Sequence, residues 1–332
     1  MMELRWLGVD EVEKRVRKVL KIPKDKKVAV KHANFAKIKI QKFFVTFDSR
    51  TVLATFFADP EVARRESLIL DYLVSLKGLA LRKVFSPPKK LYFRSNLLIR
   101  EKVEGEILSP WECDDETLRQ LARILLLFRE NPVPEKLKKH RLSFFQMKRW
   151  MLRQLPQATE AFTPFRGSRE AFASFSGVLS ADWRRKLRGL PRSFVHGDFQ
   201  PQNILLNDSQ ISLIDFDRGG YFYPLFDVAS FAVQFTHAAL LERYHRGVKP
   251  DRREIRRRRE VFLKEYRRGI ADFDEEAFRL FKLLIIFNGL AFSTAGFRKK
   301  VTRGAKHLLF GLFRQELRWF AERRPGVFAD NR

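Results

Sequence analysis

From Lys27 to about Val103 the apolar residues of this 332-residue chain alternate with polar ones, and beyond that point the alternation almost vanishes. A period of two sends successive side chains to opposite faces of a strand, whereas a period near 3.6 builds one stripe along a helix. The switch therefore limits what each part can become. "KVAVKHANFAKIKIQKFFVTFDSRTVLATFFA" is rich in Val, Ile, Phe and Thr and contains a turn candidate, "FDSR" at 47–50. It predicts two or three antiparallel strands. "DPEVARRESLILDYLVSLKG" then predicts a helix, with Asp59 as cap, Pro60 at the first helical position and Gly78 as the stop. Two more strands are expected, one from "RKVFSP" to "LYFRSN" and one at "NLLIREKV".

The later pattern is helical. "DDETLRQLARILLLFREN" has an acidic start and a broad apolar stripe. Helices with loops are expected over 141–190, and four more near 226–245, 251–270, 274–297 and 303–323. The expected organisation is an N-terminal helix (1–25), a strand-rich lobe (26–103) and a helical lobe (104–332) carrying one hairpin at 194–217. That is an α+β chain of two lobes, and a cleft between lobes is where small-molecule sites tend to form.

Composition narrows the class. Apolar residues make up 45% of the chain, which argues against disorder. Cys113 is the only cysteine, so no disulfide can form within the chain. The first twenty residues lack the apolar core of a signal peptide. The longest apolar stretch, 283–297, is shorter than a membrane span and reads as a buried helix. A cytoplasmic protein is expected. The formal charge of +27 favours polyanionic partners. Its densest run is "KPDRREIRRRRE" at 249–260, where Arg252, Arg256 and Arg259 share a helical face with Arg253 and Arg257 beside them. This is either a solvated face or a docking surface for a membrane or an anionic ligand. No nucleic-acid module is recognisable, so nucleic acid is not the expected partner.

The hairpin segment "SFVHGDFQPQNILLNDSQISLIDFDRGG" (193–220) gathers oxygen-bearing side chains at strand ends. Phosphoryl transfer asks for metal ions that neutralise phosphates and a group that orients the acceptor hydroxyl. Magnesium prefers oxygen ligands, typically one or two from the protein. Asp198, Asn203 five residues on, and Asp215 at the end of the next strand offer that set.

"HGDFQPQN", "LIDFD" and "PLFDVASF" resemble the aminoglycoside phosphotransferase and choline kinase family, within the protein-kinase-like fold. "LIDFDRG" is also similar to lipopolysaccharide-core sugar kinases. The resemblance runs roughly over 30–300 and is strongest at 194–233. It implies a protein-kinase-like two-lobe fold using ATP and Mg2+. By that resemblance Asp198 orients or deprotonates the acceptor hydroxyl, and Asn203 and Asp215 hold magnesium. His196 fixes the loop and Gly197 lets it turn. Gln200 is a loop group or a substrate contact, Asp217 a metal partner or a solvated turn acid. Asp227 caps its helix and braces the loop. Glu66 pairs with a phosphate-binding lysine. The backbone of Arg100, Glu101, Lys102 and Val103 holds adenine, with Val30 and Val52 above it and Leu205 or Ile214 below.

Two parts of the family pattern are missing. "VKHANFAKIKI" has no glycine where a phosphate loop is expected, although the amides of Asn34–Ala36 can still face phosphate. The place of the phosphate-binding lysine falls on Ala54. Lys39 on the preceding strand is the first substitute, with Lys37 and Arg50 as others. Alternatively Glu66 is exposed, paired with Arg64 or Arg65, and the site is impaired. The expectation is a kinase that phosphorylates a hydroxyl of a small molecule or glycan, against a nucleotide-binding regulator or scaffold without turnover. The positive charge favours a neutral or anionic acceptor such as a lipopolysaccharide-core sugar over an aminoglycoside or choline-like amine alcohol. The basic run would then touch an anionic inner membrane face. The oligomeric state is left open.

Overall fold

The computed structural model describes residues 7–33, 40–76, 84–208, 210–249, 251–294 and 303–323. Helix α1 (Val9–Leu20) precedes strands β1 (Val28–His32), β2 (Ile40–Phe47) and β3 (Arg50–Phe57). Helix α2 (Pro60–Ser75), β4 (Lys90–Arg94) and β5 (Leu97–Glu101) complete the first lobe. After β6 (Glu106–Ile107) come α3 (Asp115–Glu130), α4 (Glu135–Lys138), α5 (Phe144–Ala161), α6 (Ser168–Ser180) and α7 (Trp183–Arg188). Strands β7 (Ser193–Val195), β8 (Ile204–Asn207), β9 (Gln210–Leu213) and β10 (Gly220–Phe222) follow. The chain continues through α8 (Leu225–His245), α9 (Arg252–Arg268), α10 (Glu275–Thr294) and α11 (Arg303–Arg323).

The first lobe is one antiparallel sheet of order β1-β2-β3-β5-β4. Asp48 and Ser49 both take positive φ (45° and 60°) between the paired Phe47 and Arg50. Two left-handed residues make the turn whose twist suits a two-residue hairpin. The sheet has two different faces. Phe43, Val45, Val52, Ala54, Phe56, Leu97 and Ile99 form a cluster with Val12 and Val16 of α1. The opposite face presents Ile40, Phe57 and Leu98 to α2 and the main core. Asp59 caps α2 by accepting from the Glu61 amide, with Pro60 in the first turn. Gly78 lies outside the described residues.

The second lobe is mostly helical around a phenylalanine-rich core. Asp114 caps α3 by accepting from Thr117 N–H at 2.7 Å. Two departures from the sequence reading concern strands. Of the stretch expected as a strand from 82 to 96, Lys90–Arg94 forms β4, while the segment around Phe85 makes only a bridge, to Ile211. It turns away from the first lobe and clamps the β8–β9 hairpin, where Ser86 N–H donates to Ile211 and Ser212 Oγ donates to Ser86. The hairpin is also not alone: β10 pairs with β7, and β6 pairs with β8. Three-residue and two-residue strands leave no alternation to read. Among the described residues no helix is long and apolar enough to cross a membrane.

Candidate active site

The loop between β7 and β8 is held from below. The buried Asp227, in the first turn of α8, accepts backbone N–H groups of His196 (2.5 Å) and Gly197 (2.9 Å). It therefore braces the loop, and its acceptors are turned to the loop amides rather than to its own helix. Burial pushes its carboxyl up to about 7, against the pull of those two N–H bonds. His196 is buried as well. Its Nδ1 accepts from Asp198 N–H (3.3 Å), so the proton sits on Nε2, which donates to Ile214 O (3.0 Å). Burial lowers its pKa and keeps the ring neutral. The ring thus ties the loop to the strand leading into Asp215. Gly197 has φ +77°, and a Cβ there would stand 2.1 Å from the Arg218 carbonyl oxygen. Only glycine fits.

Above this brace the oxygen-bearing groups meet. Asn203 Nδ2 donates to Asp198 O (2.9 Å) and to Asp198 Oδ2 (3.2 Å). Its own oxygen is not used in either bond. Ile214 N–H donates to Asn203 O at 3.0 Å, which sets Asp215 beside the loop. Asp215 is in the left-handed region (φ 65°, ψ 58°). Such a conformation costs a non-glycine residue about 1 kcal/mol or more and is held by its surroundings. Asp217 lies one short turn on, where its carbonyl accepts from Arg65 of α2.

The first lobe brings a cation to this group, from a residue that was not among the sequence candidates. Lys42 of β2 is buried, and its Nζ stands 2.8 Å from Asp215 Oδ1. Register explains why. Lys42 pairs directly with Thr55, so both side chains leave the same face of the sheet. Ala54, where the sequence reading placed the missing lysine, points into the α1 cluster on the other face. That position cannot reach the cleft. The signal was present in "IQKFF": Ile40, Lys42 and Phe44 share a face, and Lys42 is the polar residue among apolar neighbours. Lys37, Lys39 and the amides of 34–36 lie outside the described residues. Arg50 pairs with Glu101 at an exposed edge (3.1 Å).

Glu66 corrects the alternative of an exposed helix residue. It is fully buried, and among the described residues neither carboxylate oxygen has a hydrogen-bond partner. Burial raises its pKa, opposed chiefly by the positive fields of Arg100 and then Lys42. Arg64 pairs instead with Glu61, and Arg65 with the Asp217 carbonyl. Arg100 contributes a buried side chain on the Lys42 face, paired across from Leu53. In the linker the N–H groups of Glu101 and Lys102 are engaged with Lys89 and Thr51, so they are not free to bind a base. Among the described residues no backbone carbonyl accepts from Val103 N–H. Val30 and Val52 belong to the α1 side, and Leu53 and Phe44, paired with each other, lie on the Lys42 face instead. Leu205 and Ile214 are half-buried and stand outside the core clusters, as a floor requires. Gln200 is half-buried on the loop.

An antiparallel lobe with one helix, a helical lobe, and a carboxylate–amide loop opposite a buried lysine define a two-lobe protein-kinase-like protein. A sequence model of the phosphotransferase enzyme family matches residues 40–261, well over half of the chain. The chain belongs to this family and is a small-molecule kinase-like phosphotransferase. No curated protein matches its sequence. Among solved structures it is similar to choline kinase LicA from Streptococcus pneumoniae, with TM-score 0.60 and 15% identity over 93% of this chain and 99% of that one. Choline kinase from Cryptosporidium parvum Iowa II gives TM-score 0.60 and 14% identity over 96% and 98%. The streptomycin–ATP complex of the aminoglycoside phosphotransferase APH(2")-IIa gives TM-score 0.58 and 14% identity over 90% and 93%. At such identities the likeness speaks for the fold.

Proposed function

We propose that this enzyme moves the γ-phosphoryl group of ATP, with Mg2+, to a hydroxyl of a small molecule or glycan. The observation that carries the reading is the meeting of Asp198 and Asn203 on a braced loop with Asp215, itself held by the buried Lys42. Asp198 is half-exposed at the loop tip, where its carboxylate can accept the proton of an acceptor hydroxyl or orient it. Asn203 holds that carboxylate still. Lys42 is a buried point charge whose place between Asp215 and the field of Glu66 suits phosphate oxygens. Leu53, Phe44, Leu205 and Ile214 offer flat apolar surfaces to a base, with linker backbone at its edge.

The donor set fits a hard divalent ion: an amide oxygen of Asn203 and the carboxylate of Asp215, tied through the Ile214–Asn203 hydrogen bond. Among the described residues no group of three or more His, Cys, Asp or Glu could hold a metal alone. Magnesium shared with nucleotide phosphates needs only one or two protein ligands, and when bound it neutralises phosphate charge.

For the acceptor, the formal charge of +27 repels cations at long range and favours a neutral or anionic alcohol such as a sugar. The test is ADP release with ATP and Mg2+ against neutral sugars, acidic or phosphorylated sugars, aminoglycosides and choline. Turnover is expected on a neutral or anionic acceptor. Asp198→Ala should lower it by about 10²–10⁴-fold with nucleotide affinity nearly unchanged. Nucleotide binding with no turnover on any acceptor would replace this reading with a non-catalytic regulator.

A further inference from the structure

The basic run at 249–260 divides by what its arginines touch. Arg257 holds Asp115 of α3 with two bonds (2.7 and 3.0 Å) and also bonds Glu254. Arg258 bonds Glu254 and donates to the carbonyls of Pro110, Trp111 and Cys113. These two arginines fasten α9 to α3 and the segment before it. Arg252, Arg256 and Arg259 sit at i, i+4 and i+7 on a different face. They line a cavity of about 370 Å³ between α8, α9 and α11.

That wall is poorly neutralised. Among the described residues Arg252 and Arg256 have no carboxylate partner and no side-chain hydrogen bond. Among the same residues Arg259 reaches only its neighbour Glu260, at 3.4 Å, and its Nε is buried without a partner there. Glu316, a buried acid on α11 next to the lining residue Gln315, is already matched by Lys282 and by Arg279 (3.1 Å). Like charges one and two turns apart on a helix repel, so these three arginines carry a standing cost. The remaining lining is mixed: Leu240, Ile255 and Leu312 are apolar, while His307 and Gln315 are polar and exposed. No lining residue comes from the 194–217 hairpin or the five-stranded sheet.

A compact dianion with several acceptor oxygens answers each of these features. Guanidinium forks match phosphate oxygens, and the apolar and polar lining suits a small polar body. The volume lies at the lower end of small-molecule sites, roughly 300–1,000 Å³. We propose that this pocket binds the phosphate monoester group of a small molecule, held by Arg252, Arg256 and Arg259. The site stands whatever the chemistry of the interlobe cleft.

Glucose 6-phosphate serves as the probe and glucose as its neutral control, by isothermal titration, with a non-hydrolysable ATP analogue occupying the other cleft. Arg252→Gln/Arg256→Gln removes charge from two exposed positions that hold nothing else. Gly311→Leu points a side chain into the pocket, and a Cβ at Gly311 meets nothing within 4 Å. Arg253→Gln removes a charge from the same helix off the pocket. The wild-type chain should bind glucose 6-phosphate and not glucose. Both pocket variants should lose at least tenfold in affinity, and Arg253→Gln should match wild type. The proposal is overturned if the probe does not bind, if both pocket variants bind it like wild type, or if Arg253→Gln loses as much. Capture by phosphatidylglycerol vesicles, lost in the double arginine variant and without glucose 6-phosphate binding, would overturn it in favour of a membrane surface.

Discussion

Asp227 shows how one side chain can link stability to pH at the catalytic loop. Its carboxyl is raised from an ordinary 3.8 to about 7 by burial. Between those values the folded chain keeps a proton that the unfolded chain has released. Folding is therefore favoured most below about pH 4, and this contribution is lost as pH rises to about 7. About three pKa units correspond to roughly 4 kcal/mol at full effect. His196 acts in the opposite sense: its lowered pKa costs stability as pH falls below its ordinary 6.5. Asp227→Asn removes only the first term. It should destabilise the protein more at about pH 5 than near neutrality, since the amide leaves one loop N–H without a good acceptor. The gap from wild type should narrow by pH 7.5. Urea melts of both proteins across this range measure it, and a gap that does not change with pH would show that Asp227 is already ionised at pH 5.

At the scale of elements, strand register decides which residue faces the cleft. Lys42 and Thr55 are directly paired and share the cleft face, while Ala54 faces α1. Cross-strand partners have Cβ atoms only about 5 Å apart. A lysine moved from 42 to 55 therefore keeps its charge in the cleft. Lys42→Thr should weaken ATP binding by about tenfold or more, and adding Thr55→Lys should recover most of it. Ala54→Lys in the same background should recover none and should lower Tm, because it places an ammonium in an apolar cluster. Rescue by Ala54→Lys would refute the facing described here. The same register explains what the sequence could and could not disclose. The meeting of Asp198, Asn203 and Asp215 was legible because short loops fix them, where spacing alone nearly sets geometry. The late helices were legible because long apolar stripes repeat over many turns. Lys42 was not, because the face each strand offers is set by the pairing of β3 with β2, which spacing within either strand does not disclose. Glu66 was named through the resemblance, but its burial was left open for a related reason: it depends on how α2 seats against the second lobe, through contacts far apart in sequence. Strands β7 and β10 are too short to carry a pattern of their own.

Over the whole molecule, 66 lysines and arginines face 39 acids. Many acids are already engaged at the surface, as in the Arg257–Asp115 and Arg123–Glu265 pairs. Exposed pairs of this kind contribute about 0–1 kcal/mol each, and salt weakens them. The cations left over repel one another over longer distances, and this repulsion opposes the compact state. Salt weakens that too, and here the two effects have opposite signs. Raising NaCl from about 0.1 to about 1 M shortens the screening length from about 10 to about 3 Å. Ion pairs in contact are shorter than either length and lose part of their small contribution. Repulsion between separated arginines acts over distances between the two lengths and is largely removed. The excess of 27 positive charges makes repulsion the larger of the two. Tm should therefore rise by a few degrees across this range. The rise should be smaller in Arg252→Gln/Arg256→Gln, where two uncompensated charges are already gone. A Tm that falls with NaCl in the wild-type protein would mean that its surface ion pairs outweigh its excess charge.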